Sequence, residues 1–458
     1  MKNRWAFGVL ALVSAFAFAA PAAEKIFHID FNSASLKHET ISDMLKVAAE
    51  SGYTAVLWEI EDKVRLDTIP DCISPEAMTK LEFRELLAES RALGLKAIPL
   101  MQTFGHAEYV LKNDAYRGLR EVPYRHDCYC VLKPETKDFL KRLLAEYLEL
   151  FREADVKWFH LGGDEAVAFG SCPVCSKRRD LDVYAEHLNF MAEALRARNI
   201  RPCIWSDMIV DPKRRQDIDL LPKDFVVFHW DYYLGVVPGA SRSNGVLPFL
   251  LDHGFNVVFT SSASCGGDGA IMPDLRYHRL NILKGIELTK KYGLDGHCVS
   301  SWSIRQTPKH MQIPLIRLGG DGVWTMGPEY DALTRWSPKL CDLDGRGWHP
   351  FKDSTVPPPG YVDQVLETAD RTDPEFRKNA IALASEIRAG VVASLPKVSG
   401  RWKEGGELEV ALLDCILAVL KKEPIPEVPF ERHVRYLAEE QAPQSALNAA
   451  KIVWGLYR

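Results

Sequence analysis

Short apolar runs alternate with amphipathic stretches from about residue 26 to residue 335 of the chain. The intervening stretches carry the three-to-four-residue spacing of helices, as in residues 40–51, 81–93, 137–153 and 182–198. The eight runs that predict buried strands are residues 26–31, 55–58, 96–101, 157–161, 202–205, 225–230, 256–260 and 297–302. Strands that alternate with helices in this way pair in parallel.

Eight strand–helix units in about 300 residues predict a closed (β/α)₈ barrel, the α/β fold known as the TIM barrel. An open, doubly wound parallel sheet is the alternative. It loses its main support because no G-x-G-x-x-G turn follows the first run. We therefore expect a barrel over residues 24–335.

The pattern changes after Trp324. A Pro-Pro-Pro-Gly stretch at residues 357–360 predicts a linker or a rigid turn. Beyond it, helical spacing covers residues 375–395, 408–422, 430–440 and 445–457. We expect residues 336–458 to form an α-helical region packed against the barrel.

The first residues have the pattern of a signal peptide. Lys2 and Arg4 precede an apolar stretch over residues 5–20, and small residues fill positions 19–23. The apolar stretch is shorter than the ~20 residues of a membrane-spanning helix. We expect residues 1–23 to be removed, leaving an exported protein, periplasmic or secreted, without a membrane span.

The net charge and the tryptophan content bear on which classes of molecule the protein binds. Charged residues are 26% of the chain and the net charge is −5, which does not favour nucleic acid. The chain has 11 tryptophans. Some tryptophans belong in a core, but at the mouth of a pocket the indole ring is a flat platform for a sugar.

Polar and aromatic residues cluster at the predicted strand ends, where the catalytic loops of a barrel converge. They are Asp30, Asn32, Trp58, Glu59, Glu61, Asp62, Gln102, His106, Glu108, Asp164, Glu165, Trp205, Asp207, Trp230, Asp231, Tyr232, Trp302 and Arg305. Carboxylates, a histidine and flat rings on one rim predict a sugar pocket. Helix capping by Asp207 and Asp231 is the alternative for those two residues.

The segment 160–165, His-Leu-Gly-Gly-Asp-Glu, places two adjacent carboxylates at the end of a strand. Like charges side by side hinder each other's ionisation, so one group tends to stay ionised while the other keeps its proton. This division suits general acid–base chemistry at Asp164 and Glu165. A helix start, where acidic residues suit the first turn, is the alternative.

Together these motifs resemble the family 20 glycoside hydrolases, the β-N-acetylhexosaminidases, and most closely their hexosaminidase D branch. The resemblance covers residues 26–330. It rests on segment 160–165, on Ile-Pro-Leu-Met-Gln-Thr-Phe-Gly-His at 98–106, on Glu-Ile-Glu-Asp at 59–62, on Trp-Ser-Asp-Met at 205–208 and on Trp-Asp-Tyr at 230–232.

The resemblance implies an exo-acting, retaining hydrolase of terminal N-acetylgalactosamine or N-acetylglucosamine residues, with no cofactor in catalysis. The substrate's own acetamido oxygen attacks the anomeric carbon and forms an oxazolinium ion. Glu165 would be the general acid and then the base. Asp164 would orient the acetamido group and stabilise its positive charge.

The same resemblance implies a set of substrate-binding residues. Tyr232 would hydrogen-bond the acetamido oxygen, and His106 would tune Glu165 or contact a hydroxyl. The pocket walls and further sugar contacts would come from Trp205, Trp230, Trp302, Asp30 and Asp207.

Sugar preference, the natural glycan and the oligomeric state stay open. Other family members carry Trp-x-Glu on the last strand, where this chain has Trp-Ser-Ile at 302–304. Two other functions also stay open. One is hydrolysis of a sugar without an acetamido group by two-carboxylate displacement, and the other is glycan binding without catalysis.

Four cysteines lie in two short-spaced pairs. Cys128 and Cys130 follow the third strand, and Cys172 and Cys175 follow the fourth, so their loops should be neighbours. Four thiols could hold a structural zinc ion, export would favour disulfides instead, and free thiols are the third reading. Either cross-link would brace the loop that carries Glu165.

Overall fold

The computed structural model describes residues 23–234, 243–265, 268, 271–302, 308–334 and 374–454. Residues 1–22, the proline-rich stretch at 357–360 and the predicted boundary between residues 335 and 336 lie outside this part of the chain. The signal peptide and the export that it implies therefore stay predictions.

Eight parallel strands close into a barrel in chain order, with the last strand pairing to the first. The strands are β1 (Glu24–Asp30), β2 (Ala55–Glu59), β3 (Lys96–Leu100), β4 (Trp158–His160), β5 (Arg201–Trp205), β6 (Val226–Trp230), β7 (Asn256–Ser264) and β8 (Gly296–Ser301). All eight predicted strands are present, which confirms the predicted (β/α)₈ fold.

The helices of the barrel region are α1 (His38–Glu50), α2 (Lys80–Ala92), α3 (Glu108–Leu111), α4 (Pro134–Leu150), α5 (Asp180–Arg196), α6 (Asp207–Val210), α7 (Ser243–Asp252), α8 (Leu275–Tyr292), α9 (Lys309–Asp321) and α10 (Pro328–Leu333). The C-terminal helices are α11 (Pro374–Ser394), α12 (Gly400–Lys421), α13 (Phe430–Ala438) and α14 (Pro443–Trp454).

The strands are apolar on both faces because both faces are covered, as parallel sheets require. All five residues of β2 are buried. Trp58 packs outward against Phe83 of α2, with ring centroids 5.4 Å apart. Its neighbour Leu57 points into the barrel interior, where it packs with Ile26 and Ile98.

Local sequence also fixes where helices begin and end. Thr79 and Glu82 form a capping box at the start of α2. At α8, the Asp274 carboxylate accepts from the backbone N–H of Tyr277, and Gly293 ends the helix in the left-handed conformation.

The C-terminal helices build a second apolar core and pack on the barrel. The Glu440 carboxylate accepts backbone N–H groups of Lys309 and His310 at the start of α9. The backbone carbonyl of the same residue accepts from Lys37, just before α1. None of the helices in the described ranges has the length and apolar character needed to cross a membrane.

Candidate active site

The barrel interior explains why the candidate residues converge. Side chains that fill the interior include Ile26, Leu57, Leu100, Trp205 and Phe228. Because side chains alternate along a strand, the inward positions at the strand ends face the mouth of the barrel; they are Asp30, Glu59, Gln102, Trp230 and Trp302. The turns that follow the strands bring Glu61, Asp164, Asp207 and Tyr232 to the same mouth.

The Gly-Gly step after β4 lets the chain pass close to β3. Gly162 has φ +66°, and a Cβ there would collide with the Gln102 side chain. The peptide then turns so that Asp164 is buried and Glu165 is not. Glu165 itself has φ +42°, a conformation that L-residues with side chains seldom adopt and that concentrates at functional sites.

His106 joins the two carboxylates. Its Nε2 lies 3.4 Å from Asp164 Oδ2 and 3.3 Å from Glu165 Oε2. Burial alone would lower the pKa of His106, but Asp164, Glu165 and Glu108 outweigh burial and raise it well above its ordinary value. The two acids therefore favour the cationic form of the histidine, and its one-third exposure weakens this attraction.

Asp164 and Asp207 are neighbouring carboxylates that follow the adjacent strands β4 and β5, Asp207 as the first residue of α6. Burial raises the pKa of Asp164 from 3.8 to about 7, with Glu165 and Glu59 adding to the rise and His106 opposing it. Burial and the Asp164 charge likewise raise the pKa of Asp207 to about 7. Asp207 Oδ2 accepts the backbone N–H of Glu165 at 2.9 Å, which holds the Glu165 turn in place.

Glu59, Gln102 and His28 form a second polar group, in which the His28 ring lies 4.6 Å from the Trp302 ring. Glu59 accepts from Gln102 Nε2 at 2.8 Å and lies 3.0 Å from His28 Nε2. Burial raises the pKa of Glu59 to about 7 and lowers the pKa of His28 to about 4. Burial and the neighbouring carboxylates raise the pKa of Glu61 well above its usual range.

Three of the predicted aromatic residues form one wall. Trp302 Nε1 donates to the Tyr232 hydroxyl at 2.7 Å, and the Tyr232 ring stacks on Trp230 at 5.5 Å. All three are partly exposed. The Tyr232 hydroxyl accepts this bond and also makes a hydrogen bond with Ser300.

Trp205 and Asp30 lie deeper in the barrel than the three residues of the aromatic wall. Trp205 is fully buried below the wall, 4.4 Å from the His160 ring and 5.9 Å from the Trp302 ring. Asp30 is also fully buried and accepts the backbone N–H of Asn32. Direct contact of either residue with a sugar stays a prediction.

The cysteine cluster differs from the predicted set of four. Cys130, Cys172 and Cys175 converge, but the fourth member is Glu121 and not Cys128. The segments 119–121 and 128–130 pair as a short antiparallel bridge, which brings the Glu121 carboxylate to the thiols. The Cys128 thiol turns away and contacts the carbonyl of Tyr129.

Sequence reasoning missed His28 and Glu121. His28 shares the inward parity of Ile26 and Asp30 on β1, so the two-residue period could have identified it. Glu121 had no such signal, because it lies in a long irregular loop whose path periodicity does not give.

Comparison with known proteins places the chain in a family. The catalytic domain of glycosyl hydrolase family 20 matches residues 33–263, just over half of the chain. Hexosaminidase D of Bos taurus is 26% identical over 302 residues, covering 61% of this chain and 84% of the relative. Hexosaminidase D of Homo sapiens is 28% identical over 312 residues, and the aligned part covers 62% of this chain but only 61% of that protein.

Solved structures show the same fold. A chitobiase of Flavobacterium johnsoniae superposes with a TM-score of 0.54 at 14% identity, covering 94% of this chain and 78% of its own. An exo β-N-acetylglucosaminidase of Vibrio harveyi, solved with N-acetylglucosamine, superposes with a TM-score of 0.50 at 17% identity. This match covers 66% of this chain and 54% of that chain. With the barrel, the matched catalytic domain and the resemblance of its motifs all in agreement, the chain belongs to glycosyl hydrolase family 20 and is a glycoside hydrolase.

Proposed function

We propose that the protein is an exo-acting, retaining β-N-acetylhexosaminidase that uses the acetamido group of its substrate as the nucleophile. The observation that carries this proposal is the unequal placement of two adjacent carboxylates around one histidine. The Asp164 side chain is 7% exposed, whereas the Glu165 side chain is 41% exposed, and both contact His106.

The placement supports two different roles. Glu165 is accessible to the oxygen that leaves, so it would donate a proton in the first step and accept one from water in the second. Asp164 lies at the floor, where it would accept the acetamido N–H and stabilise the charge of the oxazolinium ion. The nucleophile is part of the bound sugar, which reduces the entropy lost on attack.

The aromatic wall supports recognition of the acetamido group. The Tyr232 hydroxyl is a donor suited to the acetamido oxygen. Burial raises the pKa of Tyr232 well above its usual range, so the hydroxyl stays protonated at neutral pH. Trp230 and Trp302 offer apolar surface for the ring and the methyl group.

Substrate selectivity tests the proposal. We expect hydrolysis of nitrophenyl N-acetyl-β-galactosaminide or N-acetyl-β-glucosaminide, with little hydrolysis of the parent galactoside and glucoside. A thiazoline analogue of the N-acetyl sugar, which mimics the oxazolinium ion, should inhibit competitively. The initial product should keep the β configuration when followed by NMR.

Three results would overturn the proposal. Equal cleavage of sugars with and without the acetamido group, with no effect of the thiazoline, would favour displacement by two carboxylates. Inversion at the anomeric carbon would exclude a retaining enzyme. Binding of N-acetyl sugars without any hydrolysis would indicate a glycan-binding protein.

The charge of Asp207 should be visible in the pH profile. Asp207→Asn keeps an oxygen to accept the Glu165 N–H but removes a negative charge beside Asp164. Asp164 should then ionise more readily, and the acidic limb of the kcat/KM profile should shift to lower pH by roughly half a pH unit to one unit. The measurement is kcat/KM from pH 4 to pH 9.

Asp219→Asn is the matched control, since Asp219 pairs with Lys223 at the surface and should not affect the limb. An acidic limb that stays in place in the Asp207 variant would show that Asp164 is not the group that must ionise.

A further inference from the structure

Four side chains of metal-ligating types meet in a buried cluster formed by the loops after β3 and β4. The ligand atoms of Glu121, Cys130, Cys172 and Cys175 all lie within 4.8 Å of one another, and all four residues are buried. Cys130 Sγ is 3.6 Å from Cys172 Sγ and 3.8 Å from Cys175 Sγ. Cys175 Sγ is 3.4 Å from Glu121 Oε2.

These separations match a tetrahedral metal site. A zinc–sulfur bond of about 2.3 Å at the tetrahedral angle puts neighbouring sulfurs about 3.8 Å apart. Cys172 and Cys175 also have the C-x₂-C spacing that lets two thiolates from one turn hold one ion. We propose that Glu121, Cys130, Cys172 and Cys175 bind one structural zinc ion.

The surroundings orient the ligands. The backbone N–H of Cys172 donates to Glu121 Oε1 at 3.1 Å, so the other carboxylate oxygen faces the thiols. The backbone N–H of Cys175 points to Cys172 Sγ at 3.3 Å. Such N–H donors are the usual outer shell of a metal site, because they fix each ligand and offset its negative charge. The three thiols would release their protons as zinc binds.

Zinc accounts for the cluster better than a disulfide does. All nine cysteines in the described ranges are free thiols. A disulfide would use two of the three converging sulfurs and leave a buried thiol facing the Glu121 carboxylate. One divalent ion satisfies all four groups, and four protein ligands leave no position for a substrate, so the role is structural.

The ion would join the two loops that carry the catalytic candidates. Glu121 and Cys130 lie in the loop after β3, which contains His106. Cys172 and Cys175 lie in the loop after β4, which contains Glu165. The same loops meet at Gly105, where a Cβ would collide with the carbonyl oxygen of Asp164.

Metal content of the full-length protein is the first test. Protein purified without chelator, from cells grown with zinc in the medium, should contain one zinc per chain by inductively coupled plasma mass spectrometry. X-ray absorption should show three sulfurs at about 2.3 Å and one oxygen at about 2.0 Å. A mercurial thiol reagent should release one zinc per chain, as followed with a colorimetric zinc indicator.

Variants separate this site from general thiol binding. Cys172→Ser and Glu121→Gln should lower zinc content at least several-fold, and the thermal midpoint should fall with it. Cys128→Ser is the matched control, because Cys128 is a buried thiol two positions from Cys130 but lies outside the cluster. It should keep its full zinc.

Four outcomes would overturn the proposal. They are reduced wild-type protein that neither contains nor takes up zinc, a disulfide within the cluster in unreduced protein, iron in place of zinc, and equal zinc loss in the Cys128 control. Each of these readouts is independent of hydrolysis, so failure of the proposed function would leave the test intact.

Discussion

Glu165→Gln is expected to lower kcat on an unactivated disaccharide by about 10²–10⁴-fold. The exchange keeps the size of the side chain and the backbone N–H that Asp207 accepts, but it removes the proton that the leaving oxygen needs. A nitrophenolate leaves without that proton, so the loss on nitrophenyl substrates should be much smaller in the first step. The measurement is kcat for both substrate classes in the same preparation.

Glu186→Gln is a suitable control because the side chain of Glu186, on α5, has the same exposed fraction as that of Glu165, 41%, and pairs with Lys137 and Arg178. That variant should keep wild-type activity on both classes. An equal loss on activated and unactivated substrates in the Glu165 variant would argue against its role as the acid.

The strands were predictable because burial on both faces leaves a continuous apolar run in the sequence. Helix α12 shows where the pattern is weaker. It begins at Gly400, whereas the sequence predicts a start at residue 408. Gly405 and Gly406 interrupt the helical spacing because they pack closely on other helices, Gly405 against Met311 and Tyr436 and Gly406 against Leu333 and Leu395.

The sequence predicts the candidate site only for those residues that lie at the ends of strands. The two-residue period places Asp30, Glu59, Trp230 and Trp302 on the inward side at the ends of β1, β2, β6 and β8. The contact of His106 with both acids depends instead on a loop residue with φ +47°. No local pattern encodes that conformation, and the same is true of the approach of Glu121 to the thiols.

The ring of buried carboxylates has a consequence for stability. Glu59, Asp164 and Asp207 all ionise less readily here than in an unfolded chain. A folded protein keeps such groups because function needs the charge in place, at the expense of stability. Removing one charge should therefore improve folding while it harms catalysis.

Asp164→Asn should show both effects. It is expected to lower kcat on N-acetyl sugars by about 10²-fold or more, since the acetamido charge loses its partner. The folded-state pKa of Asp164 is raised from 3.8 to about 7. The contribution of Asp164 to the free energy of unfolding is therefore fully present below pH ~4, and it is lost as the pH rises through about 7. At pH 8 the variant should gain roughly 1–3 kcal/mol over the wild type.

The thermal midpoint at pH 5 and pH 8 measures this gain, which should be larger at pH 8 and on the order of a few degrees. Asp155→Asn is the matched control. Asp155 is exposed and beside Lys157, and its pKa is lowered, so its removal should not stabilise the protein at pH 8. Its left-handed backbone, with φ +50°, also tolerates asparagine. An Asp164 variant that is inactive but no more stable at pH 8 than at pH 5, relative to wild type, would show that His106 fully compensates the buried charge.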